Sequence, residues 1–561
     1  MEHIFNQHQK RKTASLNGEW DFCLDKENIG KEREWYKNFP KEAEYINVPG
    51  CWNNELGLFL YIGKAWYKKE FEVQKDCYLQ LTFGAVSGQA DVYLDGEYLG
   101  EHYGGWLEFS VGKFVKAGKH TVIVCVDDTP NEHDTFPLKK VDWRHFGGIT
   151  RSVEFCEFEA PFIKNTKITY TLSDDLTSAV INAKIYVENP FGTEYKTNLS
   201  FYIDGKFLKT ETICVSESGM YEIGGICLND IKLWDLDDGN LYDVKVVLGG
   251  DDICEKIGFR KVEVKNTAVY INGKKVFLKG ANRHELHPDH GFAVPANISK
   301  RDVDILKDMN SNFVRMSHYP QTHNFIDYLD REGLCSWLEI PMWQFYEESL
   351  ADEFVLERAK KLYTEMVDQY YNHPSIIIWG LHNEVQTDTK AGYEFTKSAY
   401  EYVKSMDNSR LISFASDRFL RDISLEFADI VALNNYFGWY YGEYSDWEGY
   451  IKGFRDVLKA QGLGDKPVMM SEFGVPAIYG QSSFEKERWS MEHQSDYVKG
   501  VIELCAKEEG VCGTAVWVLF DFPSQNDLNK ARGFNNKGLL NEYRKPKLAY
   551  YTVKNLYKDI K

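Results

Sequence analysis

The sequence predicts a chain of mixed β and α/β class, two β-sandwiches in succession followed by a (β/α)8 TIM barrel. Three observations predict it. The 561 residues suffice for about three domains at roughly 150 residues each. The first half reads as short alternating runs broken by glycine, the pattern of antiparallel sheets packed on one face. From about residue 265 the period changes, and apolar strands alternate with amphipathic helices, which argues for a parallel sheet.

Taken in order, residues 1–163 hold AWYKKEFEV, LTFGAVSGQADVYLDGEYLG and KHTVIVCVDD, strands of a sandwich or jelly roll. Residues 164–264 hold KITYTL, AVINAKIYVE, LSFYIDG and YDVKVVLGG, a second and smaller sandwich. Residues 265–561 carry eight strand candidates: VFLKG, NFVRMSH, LCSWLEI, SIIIWGLHNE, LISFAS, IVALNNYF, VMMSEFG and TAVWVLFDF. Helical patterns lie between them. In FVLERAKKLYTEMVDQYY, for instance, Val355, Ala359, Leu362, Met366 and Tyr370 recur on one face. Eight such units make a TIM barrel, whose active site gathers at the carboxyl ends of its strands.

The net charge of −19 argues against nucleic acid and anionic membranes as partners, because a phosphate backbone rewards clustered Lys and Arg. An anionic small substrate would need a local cation. The first twenty residues, MEHIFNQHQKRKTASLNGEW, contain no apolar stretch fit for a secretion signal, and no later run approaches membrane-spanning length. The expectation is a soluble cytoplasmic protein. Eleven cysteines are scattered singly without a CxxC pair, so neither a disulfide framework nor a zinc cassette is indicated. Aromatic residues make up 15% of the chain, which serves cores and also platforms for sugar rings.

The stretch NHPSIIIWGLHNEVQT, residues 372–387, shows where chemistry enters. Ile376 to Trp379 and Leu381 suit a dry strand, yet the run ends in His382, Asn383 and Glu384. That is a buried parallel strand whose carboxyl end faces a cleft. Polar residues recur at the other strand ends: Asn282, Arg283, His284, His318, Glu339, Asn434, Tyr436, Glu472 and Asp521. Glu384 and Glu472 stand on strands four and seven, which face each other across a narrow barrel. Retaining glycosidic cleavage needs two carboxylates about 5–5.5 Å apart, one as nucleophile and one as acid and then base. His284, His287 and His290 in HELHPDH invite a metal reading, but the spacing is not HExxH and a supporting loop is favoured. No metal or organic cofactor is expected. NNYFGWYYGEYSDW, residues 434–447, is either a packed lid or a wall for stacking sugars.

These residues resemble the signatures of glycoside hydrolase family 2: NRHELHP at 282–288, HPSIIIWGLHNE at 373–384, MMSEFG at 469–474, and FGGITR at 146–151. The likeness covers nearly the whole chain. It implies an N-terminal jelly-roll sandwich over 1–163, an immunoglobulin-like β-sandwich over 164–264 and a catalytic TIM barrel over 265–561. By that resemblance Glu384 is the acid/base, Glu472 the nucleophile, Asn383 the partner of the sugar 2-hydroxyl, and Tyr436 the neighbour of the nucleophile. Asn535 and Lys537 resemble the N-x-K motif with which β-glucuronidases grip the substrate carboxylate. The resemblance also carries over Asn434 and Tyr440 as sugar and carboxylate contacts, Asp142 for the far hydroxyls, and His318 as a further sugar contact. Trp517 becomes the floor of the site and Arg532 a further polar contact. NRHELHP and LEIPMW are closer to the β-galactosidase branch, which keeps a β-galactosidase or β-galacturonidase as the alternative and a non-catalytic glycan-binding protein as the remote one. The expected partner is a small or oligosaccharide β-glycoside. Family members often form homo-oligomers, and the sequence leaves that open here.

Overall fold

The computed structural model describes residues 3–130, 141–418, 420–524 and 530–560. A four-stranded and a six-stranded antiparallel sheet make up the first sandwich, between Thr13 and Phe158. Their inner faces meet over Trp20, Phe22, Leu81, Phe83, Val92 and Val124, all buried. Alternation along each strand puts these residues on one face. A three-stranded and a four-stranded sheet form the second sandwich from Phe162 to Ile257, closed over Ile181, Ile185, Phe201 and Val246.

A closed parallel barrel follows. Its strands are β1 (Leu278–Arg283), β2 (Phe313–Met316), β3 (Cys335–Glu339), β4 (Ile376–Asn383), β5 (Leu411–Ser416), β6 (Val431–Asn434), β7 (Val468–Glu472) and β8 (Val511–Val516). Six of them fall within the apolar runs of the sequence; β1 runs three residues past VFLKG, and β8 begins three residues before TAVWVLFDF and ends at Val516. The outer helices used below are α1 (Ala296–Asp308), α2 (His323–Glu332), α3 (Glu353–Tyr370) and α4 (Lys390–Met406). A small meander between Val262 and Val276 plugs the amino end of the barrel, where Val269 and Ile271 pack with Trp337, Ile378 and Met469. Among the described residues no helix is long and apolar enough to cross a membrane, and all eleven cysteines are unpaired.

β4 shows how the sequence meets the barrel. Ile376, Trp379 and Leu381 belong to the layer between barrel and helices, while Ile377 and Ile378 join the cluster at the plugged end. Trp379 donates its indole N–H to Asp407 at 2.8 Å. Gly380 interrupts the apolar run because nothing larger fits. A Cβ there would lie 2.1 Å from the Trp337 indole nitrogen and 2.5 Å from the Glu339 Cβ. Gly380→Ala therefore forces the floor of the site apart and is expected to cost about 1–3 kcal/mol. Urea unfolding measures this, and a midpoint equal to wild type would show that the floor yields freely.

The first sandwich is fastened to the barrel by FGGITR. Arg151 is buried, donating to the Trp106 carbonyl at 2.8 Å, to Glu285 at 2.9 Å and to the Pro320 carbonyl at 3.0 Å. Glu285 in turn accepts from the Thr322 N–H and hydroxyl at 2.9 and 2.8 Å. A buried cation with one carboxylate and two carbonyls is well satisfied, and it fixes the approach of the two domains. Gly147 lies against Trp52, with room for no side chain.

Candidate active site

The mouth of the barrel is organised around one buried cation, Arg315 at the end of β2. Its Nε and Nη2 hold Glu339 of β3 at 3.0 and 2.8 Å, and its Nη1 holds Glu472 of β7 at 2.6 Å. The remaining donors reach Asn282 at 3.1 Å and Asn383 at 2.7 Å. Arg315 thereby links four barrel strands, a task for which a planar fork of five donors is suited and an ammonium is not. The sequence reading named the carboxylates and passed over this arginine.

Glu472 is buried and accepts at both oxygens, from Arg315 and from the Tyr436 hydroxyl at 2.7 Å. Burial pushes its carboxyl up, to about 8, and the charge of Glu384 adds to the rise, while Arg315 and Tyr436 pull it down. Glu384, half-buried, follows β4 in a left-handed conformation with φ 51°. Few non-glycine residues adopt it, and such strain concentrates at functional sites. Its oxygens accept from Asn434 and Gln344, both at 2.8 Å. Ser471 donates to the Asn434 carbonyl oxygen at 2.7 Å, which turns the Asn434 amide nitrogen toward Glu384. Gln344 went unnoticed in the sequence, as did Asp417 at the end of β5. Burial and then the charge of Glu384 raise the Asp417 carboxyl to about 7.

His318 follows β2 and sets its Nδ1 2.8 Å from Glu339, with Nε2 4.0 Å from Glu472. Burial, reinforced by Arg315, keeps its pKa well below the usual range, and the same Nδ1 lies 3.3 Å from Arg315 Nη2. Trp517 stacks on the His318 ring at 5.2 Å between ring centroids. Asn383 spends its carbonyl oxygen on Arg315 and Asn434, and its buried amide nitrogen has no hydrogen-bond partner. A buried donor left open at the mouth is matched to a ligand oxygen.

The N-x-K segment arrives from the far end of the chain. Lys537 is buried, donates to the Tyr440 hydroxyl at 2.6 Å and lies over the rings of Tyr440 and Tyr436 at 4.4 and 5.3 Å. No ion pair of Lys537 is found among the described residues. Asn535 donates to Asp142 at 2.7 Å, so the first sandwich meets the N-x-K segment directly. Lys530 also pairs with Asp142. The segment is held from below: Lys547 bonds Asp521 at 2.7 Å and the Asn536 carbonyl at 2.9 Å. Asp521 thus supports the N-x-K segment, with its carboxyl raised to about 7 chiefly by burial.

Glu384, Glu472, Tyr436, His318, Asn383, Asn434 and Trp517 come together in one network of contacts at the mouth. Lys537, Tyr440, Asn535 and Asp142 line its edge. Arg532 stays apart. It sits exposed in a left-handed turn, φ 65°, with its guanidinium paired to Glu542 and lying over Phe534. His284, His287 and His290 do not converge: His284 meets the Tyr319 hydroxyl at 3.2 Å, whereas the other two lie against each other with tilted rings, 5.1 Å between centroids. The aromatic stretch divides its work. Phe437 and Trp447 pack into the core, and Tyr440 stays exposed beside Lys537.

A barrel whose mouth carries a carboxylate held by Arg and Tyr, with the charge of a second carboxylate after β4 felt at it, suits a glycosidase. The chain belongs to glycosyl hydrolase family 2: the family's TIM barrel model matches residues 262–561, its sugar binding domain 13–158, and its central domain 162–260. The chain is similar along its entire length to a β-galacturonidase of Eisenbergiella tayi solved with galacturonate, with 30% identity, full coverage of both chains and a TM-score of 0.93. A β-glucuronidase of Streptococcus agalactiae is 27% identical over 98% of this chain and 97% of its own. A β-galactosidase of Thermoanaerobacterium thermosulfurigenes is 29% identical over 97% of this chain and 76% of its own.

Proposed function

We propose that the protein is a retaining β-glucuronidase. The observation that carries this reading is Lys537, a buried ammonium without a carboxylate partner among the described residues, beside the tyrosine that holds Glu472. A neutral sugar offers such a cation hydroxyl oxygens but no opposite charge, whereas the C6 carboxylate of a uronic acid supplies one. Tyr440 and Asn535 complete the clamp.

Glu472 attacks the anomeric carbon, and Glu384 protonates the departing glycosidic oxygen. The glycosyl-enzyme that results is hydrolysed by water, activated by Glu384 acting now as base. Asn383 holds the 2-hydroxyl with its open N–H, His318 and Trp517 shape the floor, and Asp142 reads the hydroxyls farthest from the scissile bond. Between Trp343 and Asn372 the chain forms only a one-turn helix, Glu347–Leu350, and α3. No long insertion covers the mouth there, which suits large aglycones or oligosaccharide ends.

A β-galacturonidase is the second reading, favoured by the high similarity to the Eisenbergiella tayi structure. Both substrates carry the carboxylate and differ only at C4. Side-by-side hydrolysis of chromogenic β-glucuronide, β-galacturonide, β-galactoside and β-glucoside decides between them, and preference for the glucuronide is expected. Preference for the β-galactoside would overturn the uronide reading altogether. Lys537→Ala is expected to lower kcat/KM on the preferred uronide about 10–100-fold, the value of a hydrogen bond to a charged group, and to leave the galactoside rate within a few-fold. Equal losses on both would remove the clamp.

A further inference from the structure

On the outer flank of the barrel, away from the carboxylates, three histidines meet in the crevice between α2 and the end of α3. His323 opens α2, His373 precedes β4, and His3 comes from the N-terminal segment, which lies along the crevice and is bonded to Asp327 through the Ile4 N–H at 2.9 Å. We propose that His3, His323 and His373 bind one divalent transition-metal ion of the zinc class, which ties the N-terminal segment to the barrel.

One ligand atom from each ring lies within 4.8 Å of the others. His323 Nδ1 and His373 Nε2 are 3.2 Å apart, close to the edge of about 3.3 Å for a tetrahedron with Zn–N bonds of about 2.0–2.1 Å. The opposite nitrogens are already engaged as metal-binding imidazoles usually are. His373 Nδ1 faces Asp330 at 2.6 Å, and His3 Nδ1 faces Asp327 at 3.1 Å. A carboxylate behind the ring fixes the tautomer and makes the free nitrogen a better donor.

The rings of His3 and His323 are stacked, 4.4 Å between centroids and 28° apart in plane. Ligands made only of imidazole nitrogen favour zinc, nickel, cobalt or copper over calcium or magnesium. Three protein donors leave a fourth position for water. A groove of about 680 Å³ that runs between both sandwiches and the barrel is lined by His3 and His323 and gives solvent a route to the cluster.

The test uses untagged full-length protein, stripped with chelator, loaded with Zn²⁺ and passed over a sizing column. One zinc per chain by atomic emission, a higher Tm than the stripped form, and the visible absorption of four-coordinate cobalt after Co²⁺ loading are expected. His3→Gln should weaken zinc binding at least tenfold and abolish the rise in Tm. Its glycosidase activity should stay at the wild-type level, which reports that the variant is folded. A wild-type chain with no zinc above the stripped baseline, or a His3→Gln chain that holds as much as wild type, would leave only a hydrogen-bonded histidine pair and overturn the proposal.

Discussion

Glu472→Gln is expected to lower kcat on every glycoside the wild-type protein cleaves by at least about 10⁴-fold, the scale seen when a catalytic nucleophile is removed. Glutamine keeps the shape but cannot attack the anomeric carbon. The fold should survive, for a specific reason. Arg315 retains Glu339, which it holds through two bonds at 2.8 and 3.0 Å, so no cation is left unpaired in the barrel. The amide also removes a carboxyl that burial and the charge of Glu384 disfavour in its ionised form. Steady-state kinetics and a thermal melt by circular dichroism check both halves. Turnover at the wild-type rate would mean that another residue attacks the sugar.

The second large effect belongs to Arg315→Met. Removing the cation leaves Glu339 and Glu472 buried without it, and breaking such an arrangement costs about 3–5 kcal/mol. Activity should fall along with stability, since the nucleophile loses both its orientation and its main source of ionisation. The sign of the pH effect follows. Glu472 must be ionised to attack, so kcat/KM is lost as pH falls through its pKa, which burial lifts above the ordinary carboxylate range. Arg315 opposes that lift, and without it the acid limb moves to higher pH. Arg315→Lys, which keeps the charge but not the fork, should stay folded and show a smaller shift than the methionine variant, because the charge of Arg315 lowers Glu472 more than its hydrogen bond does. An unmoved limb in the methionine variant would show that Arg315 does not govern the ionisation of Glu472.

The architecture and the two carboxylates proposed as the catalytic pair are legible in the sequence because both are local. A barrel strand announces itself by four or five apolar residues and a polar end, and Glu384 and Glu472 stand at such ends. What stays hidden depends on convergence. Arg315 sits inside NFVRMSH like any strand residue, and its role exists only because β1, β3, β4 and β7 bring acceptors to it. Asp417 and Gln344 are ordinary polar residues until Glu384 turns toward them. Asp521, at the polar end of the eighth run, faces Lys547 and holds up the clamp. Arg532, next to the N-x-K segment, is drawn off by Glu542. The N-terminal segment shows the same limit: Gln9 and Lys10 donate backbone N–H groups to Asp252 at 3.0 and 2.9 Å, and Arg11 grips Asp251, contacts with the second sandwich that no local pattern foretells.

The bond between Asn535 and Asp142 spans 393 positions of the chain. Its consequence concerns biosynthesis. Asp142 is made early, but the residues it meets emerge only when synthesis is almost complete, and domains generally fold as units from the amino end. A nascent chain long enough to hold Glu384, and even Glu472, still lacks the clamp and the lysine at 547 that holds it. On the reading proposed above, the grip on a substrate carboxylate is therefore acquired only in the last few dozen residues.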